Sequence, residues 1–210
     1  MQHEHADETA PHTTGRIIRW AHLYNMLFAR HLTAVHKQAI EAAAPQPGET
    51  ALDVGCGPGT AAIVLAQKVA PVGEVIGIDA SLEMIDVARK KAKRERSTAR
   101  FEPAAIESLP FTDGYFDLAT STFMLHHLPD DLQAKGLAEV RRVLKPSGRL
   151  AIADFSSESG SFLGHLLSVF GHARGNSTFP ALEAKLRTAG FEHVEQIPSK
   201  CKGTMIVTAS

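Results

Sequence analysis

Residues 50–60, T-A-L-D-V-G-C-G-P-G-T, constrain this chain more than any other stretch. An apolar run (Ala51, Leu52, Val54) reads as a buried strand that ends in three glycines at alternate positions, Gly55, Gly57 and Gly59. Apolar residues at helical density follow at once: Ala61, Ala62, Ile63, Val64, Leu65 and Ala66. Strand, glycine loop and helix in that order let backbone N–H groups approach a ligand closely, beside a helix N-terminus. Many nucleotide-binding folds share such a loop.

The next strand narrows the choice. Glu74 to Asp79, E-V-I-G-I-D, ends in a carboxylate 20 residues after Gly59. At that place in an α/β sheet an acidic residue accepts hydrogen bonds from a ribose diol. The dinucleotide fingerprint G-x-G-x-x-G/A fails, because Thr60 stands three residues after Gly57; the spacing is G-x-G-x-G. L-D-V-G-C-G-P-G and G-I-D-A-S together resemble the first two motifs of the class I S-adenosylmethionine-dependent methyltransferases. Three further runs are similar to the same family: A-I-E-S-L-P-F (105–111), R-R-V-L-K-P-S-G-R-L (141–150) and A-G-F (189–191). The overall likeness is to the ubiquinone/menaquinone-biosynthesis-like members, good over about 48–155 and loose at the ends.

Size and composition agree with a globular α/β chain. At 210 residues it suits one domain with a sizeable core. Hydrophobic content of 44% and charged content of 21% are ordinary for such proteins. A net charge of −1 gives no global pull toward nucleic acid, and no apolar run is long enough for a membrane span. Cys56 and Cys201 make neither a disulfide framework nor a metal pattern, and the start is not a signal peptide. The expected location is cytoplasmic, and oligomeric state is not readable.

In chain order, residues 1–15 read as a mobile arm whose His3, His5 and His12 are solvated rather than metal-binding. Residues 16–210 read as a single domain. Its first part, 16–44, has helical spacing (Ile17, Trp20, Tyr24, Phe28, Leu32, Val35, Ala39), as one helix or two with a break near Asn25. Strands are expected at 51–54, 74–79, 99–102, 115–121, 149–155, 191–197 and 203–208, and Ser81 is an N-cap for the helix behind it. The basic run R-K-K-A-K-R-E-R (89–96) reads as a solvated helix end. Lys145 to Gly148 reads as a turn. Residues 156–180 interleave glycine, serine and histidine with Phe162, Leu163, Leu166, Leu167 and Phe170; they form either a substrate lid or a short helix that patches the core.

The resemblance implies a Rossmann-like α/β fold: seven strands, mostly parallel with the last antiparallel, and helices on both faces. It implies S-adenosyl-L-methionine as cofactor and S-adenosyl-L-homocysteine as product. Asp79 suits the ribose diol, since a carboxylate accepts two hydrogen bonds at once. Gly55 and Gly57 let backbone lie against the ligand, with Cys56 between them. By resemblance Asp53 orients the loop or the methionine amine, and Ser121 and Thr122 face the methionine end. Ala80, Met84 and Ile106 offer apolar surface to the adenine, Met84 equally serving as core. Ala105 stands where the family places a polar contact to the adenine amino group, and the Ile106 N–H is the remaining contact there. Tyr24 either covers the cofactor or packs its helix on the domain.

Methyl transfer is an in-line displacement that depends mainly on alignment, and an acidic O–H or a C–H next to a carbonyl also needs a base. His126 and His127, just past the fourth strand, are candidates because histidine titrates near neutral pH. His22, His165 and His172 are candidates for the same pocket. The expected acceptor is a small, partly apolar molecule. S-T-F-M after the fourth strand is not the motif of nucleobase amino methylation, and neither cysteine is placed for pyrimidine C5 chemistry. The alternative is a methyltransferase-fold protein that binds the cofactor without transferring the methyl group, as a regulator or a non-methylating enzyme. A nicotinamide-dependent oxidoreductase fails at Thr60 and lacks a Tyr-x-x-x-Lys pair.

Overall fold

A computed structural model describes residues 33–156 and 178–210. Its elements in order are helix α1 (33–43), β1 (Thr50–Val54), α2 (Thr60–Val69), β2 (Glu74–Asp79), α3 (Leu82–Glu95) and β3 (Arg100–Pro103). They continue with β4 (Phe116–Thr122), a one-turn 3-10 helix (Leu125–His127), α4 (Asp130–Val143), β5 (Leu144–Phe155), α5 (Phe179–Thr188), β6 (Val194–Ile197) and β7 (Thr204–Ala209).

The seven strands form one sheet in the order β3-β2-β1-β4-β5-β7-β6. Strands β1 to β5 are mutually parallel, and β7 runs antiparallel between β5 and β6. This is the class I methyltransferase arrangement. The chain builds outward from β1 through β2 to β3, then returns to lay β4 on the other side of β1. Loops leaving β1 and β4 therefore diverge and open a crevice at the strand C-terminal ends.

The apolar runs cover both faces because the central strands are packed on both sides. Ala51, Val75, Leu118 and Ala151 meet Ile40 of α1 and the inner faces of α2 and α3. Leu52, Val54, Ile78, Ala119 and Ile152 meet α4 and α5 through Leu137, Val140, Leu182 and Leu186. Full burial of each such Leu or Ile stabilises by roughly 1.5–3 kcal/mol. Arg149 fastens α1 to the sheet: its guanidinium pairs with both oxygens of Glu49 at 2.8 Å and also caps the Ala44 carbonyl at 2.8 Å.

Local signals held where the physics is local. The Ser81 hydroxyl accepts the Met84 N–H at 3.3 Å and starts α3 as its N-cap. Two strand starts differ by three residues or more, one being that of β6, which begins at Val194 rather than 191. β5 begins at Leu144 rather than Arg149, since Leu144 pairs with Phe116 while Arg149 pairs with Leu118. The turn expected at Lys145–Gly148 is an excursion inside the strand, so the register slips there. Among the described residues no helix is long and apolar enough to cross a membrane.

Candidate active site

The glycine loop hangs between β1 and β2. The Cys56 N–H donates to the Ile78 carbonyl at 2.8 Å, and the Gly57 N–H donates to Asp79 Oδ2 at 2.9 Å. Gly55 and Gly57 both have left-handed backbones, φ 68° and 51°. They differ in what surrounds them. A side chain at Gly55 would collide with Met124, whereas a Cβ at Gly57 meets nothing within 4 Å. Gly57 thus bares its backbone to open space, as close approach to a ligand requires. Cys56 is buried, which pushes its thiol well above its usual range and removes it as a nucleophile.

Asp79 ties two turns together. Besides the Gly57 N–H, its Oδ1 accepts the Ser81 N–H at 2.8 Å. Burial raises its carboxyl pKa, and the two N–H groups partly offset that. Each carboxylate oxygen has two acceptor positions, so one on each is still open to a diol.

Asp53 lies fully buried on β1. Its Oδ1 accepts the Thr120 hydroxyl at 2.9 Å, while Oδ2 makes no hydrogen bond. Burial pushes its carboxyl up to about 7, against the pull of Thr120 and of the Ala62 N–H at the start of α2. The Ser121 hydroxyl is likewise buried without a partner. Orphaned buried oxygens are costly, and at a ligand site the ligand satisfies them. The pairing of Asp53 with Thr120 and of Val54 with Ser121 sets Asp53 and Ser121 on opposite faces of the sheet. Ser121 and Thr122, adjacent in one strand, cannot line a single wall together.

Of the residues expected at the adenine, Met84, Ala105 and Ile106 are buried and Ala80 is half-buried. The Ile106 side chain packs directly onto Gly136 of α4, so it serves the core as well. Open acceptor positions at Asp79, the unpaired oxygens of Asp53 and Ser121 and the open space at Gly57 fit an adenosine-containing cofactor with a zwitterionic end.

One strand further on stands a hydrogen-bonded histidine–carboxylate pair. His126 Nδ1 lies 2.6 Å from Asp154 Oδ1, and the His126 backbone N–H donates to Asp154 Oδ2 at 3.1 Å. Asp154 is buried at the C-terminal end of β5 and also accepts the Phe155 N–H at 2.8 Å. Burial alone would raise its carboxyl pKa, yet the charge and hydrogen bonds of His126 with the two N–H groups hold it below the usual range. With Nδ1 committed to Asp154, Nε2 is the His126 nitrogen left for chemistry. The His127 ring lies 3.7 Å from that of His126, and Phe155 meets His126 edge-on at 5.0 Å. A cleft of about 350 Å³, counting space open to solvent, borders His126 and Asp154 and reaches Gln133, Leu182 and Lys185.

Sequence reasoning missed Asp154, although a lone carboxylate closing the run L-A-I-A-D-F is a readable signal. It also missed His36 on α1, whose ring meets Phe123 edge-on at 5.7 Å and whose Nδ1 is buried without a partner. Burial, aided by the charge of Lys91, pushes His36 down to about 4, so it is neutral at pH 7. Tyr24, His22, His165, His172, the 1–15 arm and most of the 156–180 segment lie outside the described residues, as does 16–32 of the N-terminal cover.

Residues 51–148 match the family model described as a methyltransferase domain. This stretch is a methyltransferase domain. Among curated proteins, the chain is 37% identical over 161 residues to an arsenite methyltransferase of Halobacterium salinarum, covering 74% of this chain and 40% of that protein. It is 40% identical over 108 residues to a ubiquinone/menaquinone biosynthesis C-methyltransferase of Geobacter sp., covering 50% and 45%. The chain spans about half or less of the length of the curated relatives it matches. A solved S-adenosylmethionine-dependent methyltransferase of Aquifex aeolicus shares the methyltransferase fold at TM-score 0.68 and 22% identity, over 86% of this chain and 92% of that one.

Proposed function

We propose that the chain transfers a methyl group in line from S-adenosyl-L-methionine to a small, partly apolar acceptor, leaving S-adenosyl-L-homocysteine. The observation that carries this reading is the neighbourhood of two features. A methyltransferase glycine loop bares Gly57 beneath Asp79, and a His126–Asp154 pair stands beside an open cleft at the ends of β4 and β5.

When bound, S-adenosyl-L-methionine supplies a methyl group already activated by its sulfonium. Asp79 then takes the ribose diol and Gly57 the approaching ligand backbone-on, with Gly55 and Cys56 completing the loop. Asp53 and Thr122 serve the methionine end from one face of the sheet and Ser121 from the other. Ala80, Met84, Ala105 and Ile106 border the adenine, and Tyr24 covers the cofactor. His126 Nε2 takes the proton of an acceptor O–H, or of a C–H next to a carbonyl, as the acceptor gains the methyl group. Asp154 stabilises the imidazolium so formed and fixes the ring that receives the proton. His127 lies tilted beside it as the second candidate base. The net charge of −1 and the partly apolar cleft suit a small molecule rather than nucleic acid, in the cytoplasm.

A second reading, cofactor binding without transfer, is favoured by Ala105, which brings no polar side chain to the adenine. The two separate in one assay: the protein is incubated with S-adenosyl-L-methionine and a panel of phenols, quinols and thiols, and S-adenosyl-L-homocysteine is measured. Acceptor-dependent product supports transfer. Tight cofactor binding with no product from any acceptor supports the second reading.

A further inference from the structure

The 3-10 turn that carries His126 and His127 is held not only by Asp154 but also by a residue of α4. Gln133 is buried, and its carboxamide Nε2 donates to both carbonyls flanking the histidines: Leu125 at 3.0 Å and Leu128 at 2.9 Å. Its two N–H bonds are thereby spent on one turn. Its Oε1 accepts from Lys185 Nζ of α5 at 2.7 Å, and the same ammonium reaches Asp130 Oδ1 at 2.6 Å. A lysine ammonium only donates, so Lys185 fixes which way the carboxamide faces. The reverse orientation would set Nε2 against the ammonium and Oε1 against two carbonyl oxygens.

We propose that Gln133 and Lys185 are positioning residues for His126, a relay from α5 through α4 that keeps its ring seated on Asp154. The inference rests on the reading of His126 as the base. Asp154 grips the ring and the backbone N–H of His126, whereas Gln133 grips the carbonyls on either side. With both grips in place the imidazole has one seat, Nδ1–H to Asp154 and Nε2 turned to the cleft. Without Gln133 the turn loses the partner of its two flanking carbonyls, keeping His127 N–H to Met124, Leu128 N–H to Leu125 and His126 N–H to Asp154, and the ring samples positions off the carboxylate. An imidazole facing water favours the other tautomer, which puts the proton on Nε2 and blocks it as a base.

The test reads His126 directly and needs no acceptor. The full chain is labelled with ¹⁵N and its imidazole nitrogens are observed at alkaline pH, His126 being assigned by the signal lost in His126→Gln. Wild type shows the Nδ1–H tautomer. Gln133→Leu shifts the tautomer ratio toward Nε2–H by roughly three- to tenfold, the range one hydrogen bond's net worth commands. Lys185→Met shifts it the same way but less, and Lys185→Arg restores the wild-type spectrum. Should Gln133→Leu fail to fold, Lys185→Met decides by the same signal, since its side chain is partly exposed. Signals of His126 that superimpose on wild type in the folded variants would overturn the proposal and leave Lys185 as a plain α4–α5 tie. Calorimetry with S-adenosyl-L-homocysteine runs alongside. No binding by wild type, with the tautomer shift present, sinks the methyl-transfer reading and keeps the relay. Binding with no shift does the reverse.

Discussion

Asp154 holds His126 at two points, the ring Nδ1 at 2.6 Å and the backbone N–H at 3.1 Å. The carboxylate thereby sets both the tautomer of the ring and its place at the end of β4. Asp154→Asn presents an amide donor to Nδ1 and forces the proton onto Nε2. We expect turnover to fall by roughly 10²–10⁴-fold, the range of a lost general base. The affinity for S-adenosyl-L-homocysteine stays within about threefold, because Asp154 lies outside the glycine loop. Steady-state kinetics with any accepted substrate and calorimetry of the variant check this pair of outcomes.

Gly55 and Gly57 share a backbone conformation and differ in surroundings, so the same substitution at each has different consequences. Gly57→Ala meets no protein atom within 4 Å and incurs only left-handed strain, about 1–2 kcal/mol. It should fold and lose cofactor affinity. Gly55→Ala collides with Met124 and should lower the thermal midpoint further. A folded Gly57→Ala protein with unchanged affinity for S-adenosyl-L-homocysteine would show that the open space at Gly57 is not used.

Asp53 gives a pH signature. Its folded carboxyl is pushed up to about 7, whereas an unfolded aspartate titrates near about 3.9. Between these values the folded chain keeps a proton that the unfolded chain has released. Stability contributed at this residue therefore falls as pH rises from about 4 to about 7, and is level above that. Asp53→Asn abolishes the dependence. The thermal midpoint of the variant minus that of wild type should climb across the window and then flatten; a difference that stays constant from pH 4 to 8 contradicts the assignment.

The parts legible in the sequence are those whose physics is local. The glycines at 55, 57 and 59, the apolar strand before them, the Ser81 cap and the strand-ending Asp79 each declare themselves within a few residues. The His126–Asp154 pair does not, because it joins the ends of two strands 28 residues apart, and only the parallel β4–β5 register brings them together. Gln133 reads in sequence as one more polar position of an amphipathic helix, and only the packing of α4 on the histidine turn gives it a role. Ser121 and Thr122 show the converse. Adjacent in sequence, they look like one feature, and the alternation of a strand sends them to different faces. At Lys145–Gly148 the turn residues are readable, but the pairing of Leu144 with Phe116 that makes the turn an excursion within β5 is not.

Asp79 joins the glycine loop to the β2–α3 turn and still has acceptor positions open, so removing it strikes at both. Asp79→Ala leaves the N–H groups of Gly57 and Ser81 without their acceptor, at a cost of about 1–3 kcal/mol each where they stay buried. Asp79→Asn keeps the shape and one acceptor but turns its NH2 toward the other N–H, and should lie between wild type and Asp79→Ala in both thermal midpoint and cofactor affinity. Thermal melts and calorimetry of the two variants side by side check the order.

Calorimetric titration of the purified chain with S-adenosyl-L-methionine, S-adenosyl-L-homocysteine and NAD tests the central claim most directly, with Asp79→Ala run in parallel. The pocket described here predicts saturable one-to-one binding of both sulfur ligands, loss of that binding in Asp79→Ala, and no heat from NAD. Absence of binding by either sulfur ligand, or saturable binding of NAD in their place, would contradict it.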